Sequence, residues 1–75
     1  MALEHNIGID LGGTKIECIV LENQKEIFRD RILTESEKGS DHILNQIHQI
    51  YQKAILFIDN QKHTLGICTP GSISP

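Results

Sequence analysis

No apolar run in this 75-residue chain extends beyond a few residues, so no segment is built to span a membrane. The first residues, Met1 to Asn6, lack the basic start and continuous apolar core of a secretion signal. No block of one charge exists either: seven Lys and Arg against ten Asp and Glu give a formal net charge of −3, spread along the chain. That balance argues against a nucleic-acid surface, which needs clustered cations. Cysteine is scarce, with only Cys18 and Cys68, each in a β-like apolar stretch without a second sulfur or clustered ligands nearby. Two buried, reduced thiols are expected, in place of a disulfide or metal centre. Internal repeats and low-complexity segments are absent. Length is limiting as well, because 75 residues bury too little surface for a large core without a metal, disulfide or partner. The chain stops at Pro75 inside a motif, so it reads as a fragment, a partial domain over 1–75 truncated at Pro75.

What the sequence does have is concentrated in Ile7 to Val20, which reads as strand, glycine turn, strand. Ile7 and Ile9 lead into Asp10, a run of β-formers from Ile16 to Leu21 leads away, and the turn falls within Leu11 to Lys15. Paired glycines, Gly12 and Gly13, are expected to take positive φ and to let an anion approach the main-chain N–H groups. Thr14 adds a hydroxyl and Lys15 a cation. Asp10 at the strand end is placed to hold a divalent metal beside the phosphates, directly or through water. A plain hairpin would do without this Asp, because a lone carboxylate buried at an apolar strand end is costly unless compensated. The spacing matches neither a Walker loop nor a dinucleotide fingerprint.

Gly8-Ile9-Asp10-Leu11-Gly12-Gly13-Thr14-Lys15-Ile16-Glu17 resembles the first phosphate motif of the ROK family of sugar kinases. Gly66-Ile67-Cys68-Thr69-Pro70-Gly71-Ser72-Ile73-Ser74-Pro75 resembles the family's Gly-x-x-x-Pro-Gly-x-x-x-Pro segment near the bound sugar, most like its fructokinase-type members. The resemblance implies the amino-terminal, nucleotide-binding part of a ribonuclease H-like (actin-like ATPase) α/β domain. It also implies a cytoplasmic ATP- and Mg2+-dependent hexose kinase of the fructose or glucose type, homo-oligomeric as a complete protein. On that likeness Asp10, Gly12, Gly13, Thr14 and Lys15 bind nucleotide, Asp10 serves the metal, and Pro70 and Gly71 lie at the sugar. The family's catalytic Asp belongs to a later Asn-Asp motif, and its zinc cluster would also lie beyond Pro75. A sugar-sensing regulator or non-catalytic binder on the same fold is the alternative. A DNA-binding repressor is disfavoured, because the motif begins almost at the amino terminus and leaves no room for a winged helix before it.

The remaining elements give the order β-β-β-α-β. Ile16, Cys18 and Val20 share one strand face and Glu17, Ile19 and Leu21 the other, an apolar pattern on both sides. Glu22 to Lys25 is a turn, and Glu26 to Thr34 is a third strand near a sheet edge. Arg29 and Arg31 share its solvated face and Phe28 and Ile32 the opposite one. Ser40 is expected to cap a helix running to about Ile58. Its apolar stripe is Ile43, Leu44, Ile47, Ile50, Tyr51, Ala54, Phe57 and Ile58. His42 and His48 read as surface residues, and no partner for His63 is evident. Thr64 to Thr69 is a fourth strand, and Pro70-Gly71 a turn.

Overall fold

The computed structural model describes residues 4–68, which form β1 (His5–Leu11), β2 (Lys15–Glu22), β3 (Lys25–Leu33), α1 (Ser40–Phe57) and β4 (His63–Cys68). A single 3-10 turn, Ser36–Lys38, precedes α1. The sheet order is β3-β2-β1-β4, an antiparallel meander of the first three strands with β4 added parallel to β1. A glycine turn, a two-residue Asn23-Gln24 turn and alternating apolar residues make the meander local. The parallel pair needs the α1 crossover, because parallel neighbours cannot be joined by a tight turn.

Strand periodicity decides which residues meet the helix. Ile7 and Ile9 of β1 and Ile16, Cys18 and Val20 of β2 point to one face and meet Ile50, Ala54 and Ile58, all of them buried. Each fully buried isoleucine contributes about 1.5–3 kcal/mol of transfer free energy. Of the expected stripe, Leu44 is 63% exposed, whereas Ile55, outside that stripe, packs against the core with Ile47 and Tyr51. The buried row is Ile50, Ala54 and Ile58 at i, i+4 and i+8, and Leu44 lies about 120° around the helix from Ile50. Phe57 is half exposed and stacks on Phe28 at the β3 rim, ring centroids 4.8 Å apart.

Three local expectations are corrected. Ser40 is the first helical residue and does not cap α1: Gly39 (φ 97°) holds the cap position, and its carbonyl accepts from Ile43 N–H at 3.2 Å. Cys68 is exposed while Cys18 is buried, because Cys68 points to the sheet face away from α1. The second sheet face is not covered by any element among the described residues, so the apolar Ile19 and Leu21 are only half-buried there. Burial pushes the Cys18 thiol up to about 11, with the Asp30 carboxylate adding to the rise.

Both ends of the meander are tied. Asn23 and Gln24 take φ of 51° and 72° in the two-residue β2–β3 turn, the left-handed pair that matches strand twist. Asn23 also donates its N–H to Glu4 O (2.9 Å) and accepts from Glu4 N–H through Oδ1 (3.0 Å). His63 has a partner after all: Tyr51 O–H lies 2.7 Å from Nε2, while Nδ1 lies 2.8 Å from the Gln61 carbonyl. A ring N beside a carbonyl must carry a proton, so in the neutral ring Nε2 accepts from the tyrosine. No helix among the described residues is long and apolar enough to cross a membrane.

Candidate functional site

The sheet's open face and the β1–β2 turn converge at the carboxyl end of β1. Alternation along β1 sends Ile7 and Ile9 into the core and therefore sends Asp10 to the opposite face, where it is exposed. The expected burial cost of this carboxylate is absent, since water reaches it. Asp10 makes no ion pair or side-chain hydrogen bond among the described residues, and neither does Lys15 at the start of β2. Parallel pairing places Cys68, the last described residue, opposite Asp10. The sequence-predicted Pro70 and Gly71 lie outside the described residues.

The turn itself is three residues, Gly12, Gly13 and Thr14, between the strands. Neither glycine takes positive φ, contrary to expectation. They matter through space. A β-carbon on Gly12 would lie 2.8 Å from the Lys15 carbonyl oxygen, which itself accepts the Gly12 N–H at 2.9 Å, so only glycine fits. A β-carbon on Gly13 would meet nothing within 4 Å. The fold requires the first glycine and leaves open space above the second.

Residues just after β3 brace the turn. Thr34, 2% exposed, donates its hydroxyl to Gly12 O at 2.9 Å and its N–H to Thr14 O at 2.8 Å. Ser36 Oγ lies 3.5 Å from Gly13 O. The N–H groups of Gly13 and Thr14 donate to no protein acceptor among the described residues. Sequence reasoning missed Thr34 and Ser36, since a threonine ending a strand signals only β propensity and the contact spans the whole of β2 and β3.

Electrostatics around the turn are graded. Glu17, the β2 partner of Asp10, accepts from Arg29 Nη1 at 2.9 Å and lies 3.2 Å from Arg31 Nη2. Arg29 also grips Glu26 with two bonds, Nε at 3.2 Å and Nη2 at 2.8 Å, and holds that carboxyl below its usual range. The two arginines share the open face as expected. Asp30 instead faces the helix side, where the Lys53 ammonium, and then the Arg31 N–H, hold its carboxyl low. Asp10, Lys15, Glu17 and Arg31 line a shallow depression beside the turn. An adjoining hollow of about 540 Å³ runs over Gly8, Ile19, Gly66 and Cys68. Among the described residues no three His, Cys, Asp or Glu side chains gather into a metal-holding cluster.

Similarity to known proteins agrees with this arrangement. A solved Ppx/GppA family member from Aquifex aeolicus superposes with a TM-score of 0.57 at 14% identity, over 92% of this chain and 36% of that one. The chain thus spans about a third of that structure's length, and at such low identity the likeness establishes the fold alone. That fold is the amino-terminal part of a ribonuclease H-like, actin-like ATPase domain, with its three-stranded meander, crossover helix and parallel fourth strand. None of the curated proteins compared with the chain matches it. The ROK family model matches residues 6–75, which covers both glycine motifs and all the described strands save His5, and by that match the chain belongs to the ROK family.

Proposed function

We propose that this chain is the amino-terminal, phosphate-binding part of an ATP-dependent hexose kinase that transfers the γ-phosphoryl group to a sugar hydroxyl. One observation carries the reading: an exposed Asp10 stands at the same strand end as the amides of Gly13 and Thr14, all three without a partner among the described residues, with open space above Gly13. Free main-chain donors and a cation binder at one turn are what a nucleotide tail with its magnesium requires. In this reading the Gly13 and Thr14 N–H groups, the Thr14 hydroxyl and Lys15 bind phosphate oxygens, and Asp10 holds Mg2+ directly or through water. A single carboxylate suffices, because magnesium shared with phosphates keeps most of its other positions for water. Mg-ATP supplies the transferable phosphoryl group. What these residues add is placement and charge neutralisation, the main protein contribution to phosphoryl transfer. The group that activates the sugar belongs to the family's later Asn-Asp motif, and Pro70 and Gly71 are assigned to the sugar side by the same resemblance.

Coupled assay of ATP consumption by the complete protein, with fructose, glucose and N-acetylhexosamines and with Mg2+ varied, tests the reading. Sugar-dependent turnover that disappears on chelation is expected. A protein that binds a hexose but never consumes ATP would be the regulator or binding module, and the kinase reading would fall.

A further inference from the structure

We propose that Thr34 is a positioning residue for nucleotide, a clamp that aims the unengaged Gly13 amide of the glycine turn at the phosphates; this rests on the functional reading above. The inference comes from peptide geometry. In a trans peptide the C=O and N–H vectors are antiparallel, so fixing one fixes the other. The peptide that carries the Gly12 carbonyl also carries the Gly13 N–H, and the one that carries the Gly13 carbonyl also carries the Thr14 N–H. Thr34 Oγ1 draws the Gly12 carbonyl inward at 2.9 Å, and Ser36 Oγ stands 3.5 Å from the Gly13 carbonyl. The Gly13 N–H is thereby turned away from Thr34, at a residue where an added β-carbon would meet nothing within 4 Å.

Thr34 holds the turn at two points, since its own N–H also binds the Thr14 carbonyl at 2.8 Å. It is 2% exposed, so water does not compete for either bond. The clamp touches no ligand itself. Its effect is preorganisation: donors already aimed at an anion need no reorganisation when the anion arrives. A peptide between two glycines without this restraint would sample many orientations.

Three variants of the complete protein decide the matter: Thr34→Val, which keeps shape and loses the hydroxyl donor, Thr34→Ser, which keeps the donor, and Gly13→Val, which fills the ligand space. Calorimetric Kd for Mg-ATP, KM for sugar and ATP, and Tm are read on each. Thr34→Val is expected to weaken Mg-ATP about tenfold, the equivalent of one hydrogen bond, with sugar KM unchanged, while Thr34→Ser stays near wild type. Wild-type nucleotide affinity in a Thr34→Val protein with lowered Tm overturns the clamp and leaves a purely structural threonine. If Gly13→Val loses Mg-ATP while Thr34→Val does not, the clamp alone fails. If the unmodified protein binds no Mg-ATP, the functional reading fails and takes the clamp with it. Should Thr34→Val not fold, amide NMR of the wild type decides: a Gly13 N–H signal that ignores Mg-ATP overturns the proposal, and a large selective shift of it supports the clamp.

Discussion

Asp10 and Glu17 are direct partners across the β1–β2 ladder, yet among the described residues only Glu17 is neutralised: it sits between Arg29 and Arg31, whereas Asp10 pairs with no cation there. Two carboxylates opposed in this way would ordinarily repel. Placing both guanidinium groups on one of them leaves the other carboxylate without a cation partner among the described residues.

Asp10→Asn separates a metal role from a structural one. The amide keeps the shape and removes the charge, and since the side chain is exposed and unpaired, Tm should be unchanged. Turnover of the complete enzyme should fall by about a hundredfold or more, the usual loss for one key electrostatic contact. Parallel melting and rate measurements on one preparation check this. A destabilised but fully active variant would refute the metal assignment.

The two glycines of the turn should respond differently to alanine. Gly12→Ala forces a β-carbon to 2.8 Å from the Lys15 carbonyl and should cost about 1–3 kcal/mol in denaturant unfolding. Gly13→Ala meets no protein atom and should leave stability almost unchanged while weakening Mg-ATP. Equal destabilisation by both would mean that the space above Gly13 is not reserved for a ligand.

The two thiols of the 75-residue chain should label at very different rates. Cys68 is exposed, and Cys18 is buried with its thiol pushed up to about 11 from an ordinary 9.0. Two units less acidity means about a hundredfold less thiolate at pH 8, before access is considered. Peptide mapping after brief alkylation should find Cys68 modified and Cys18 protected. The sign for stability follows: the folded chain keeps the Cys18 proton that the unfolded chain loses, so stability should decline as pH rises from 9 toward 11.

Beyond α1, Asp59 and Asn60 carry φ of 58° and 57°, a left-handed pair that costs L residues energy. Asp59→Gly should stabilise the chain by about 0.5–1 kcal/mol, visible as a higher urea midpoint with an unchanged slope. A lower midpoint would show that the Asp59 side chain makes a compensating contact.

How much of this could be read from the residues differs by range. The turn was legible because two glycines separate two apolar β runs, and the faces of Arg29 and Phe28 followed from a period of two. The ends of α1 were placed within about a residue, although Gly39 and not Ser40 fills the cap. Exposure of Asp10 and Cys68 was not legible, because period gives the face of a strand but not which face a helix covers. The Thr34 clamp was invisible for a different reason: its partners lie across two intervening strands, and no local pattern records such a contact.

The edges of the sheet are unequal, and that asymmetry governs how it grows. Lys25, Glu26, Arg29 and Arg31 put charge along β3, which discourages a further strand from pairing there. β4, with the sequence His-Thr-Leu-Gly-Ile-Cys, carries no Lys, Arg, Asp or Glu and leaves Leu65 and Ile67 about half exposed. Any added strand, whether from the same polypeptide or from a neighbour, is directed to β4. In concentrated solution the 75-residue chain should therefore self-associate through this edge, and Leu65→Lys should suppress that association in sedimentation.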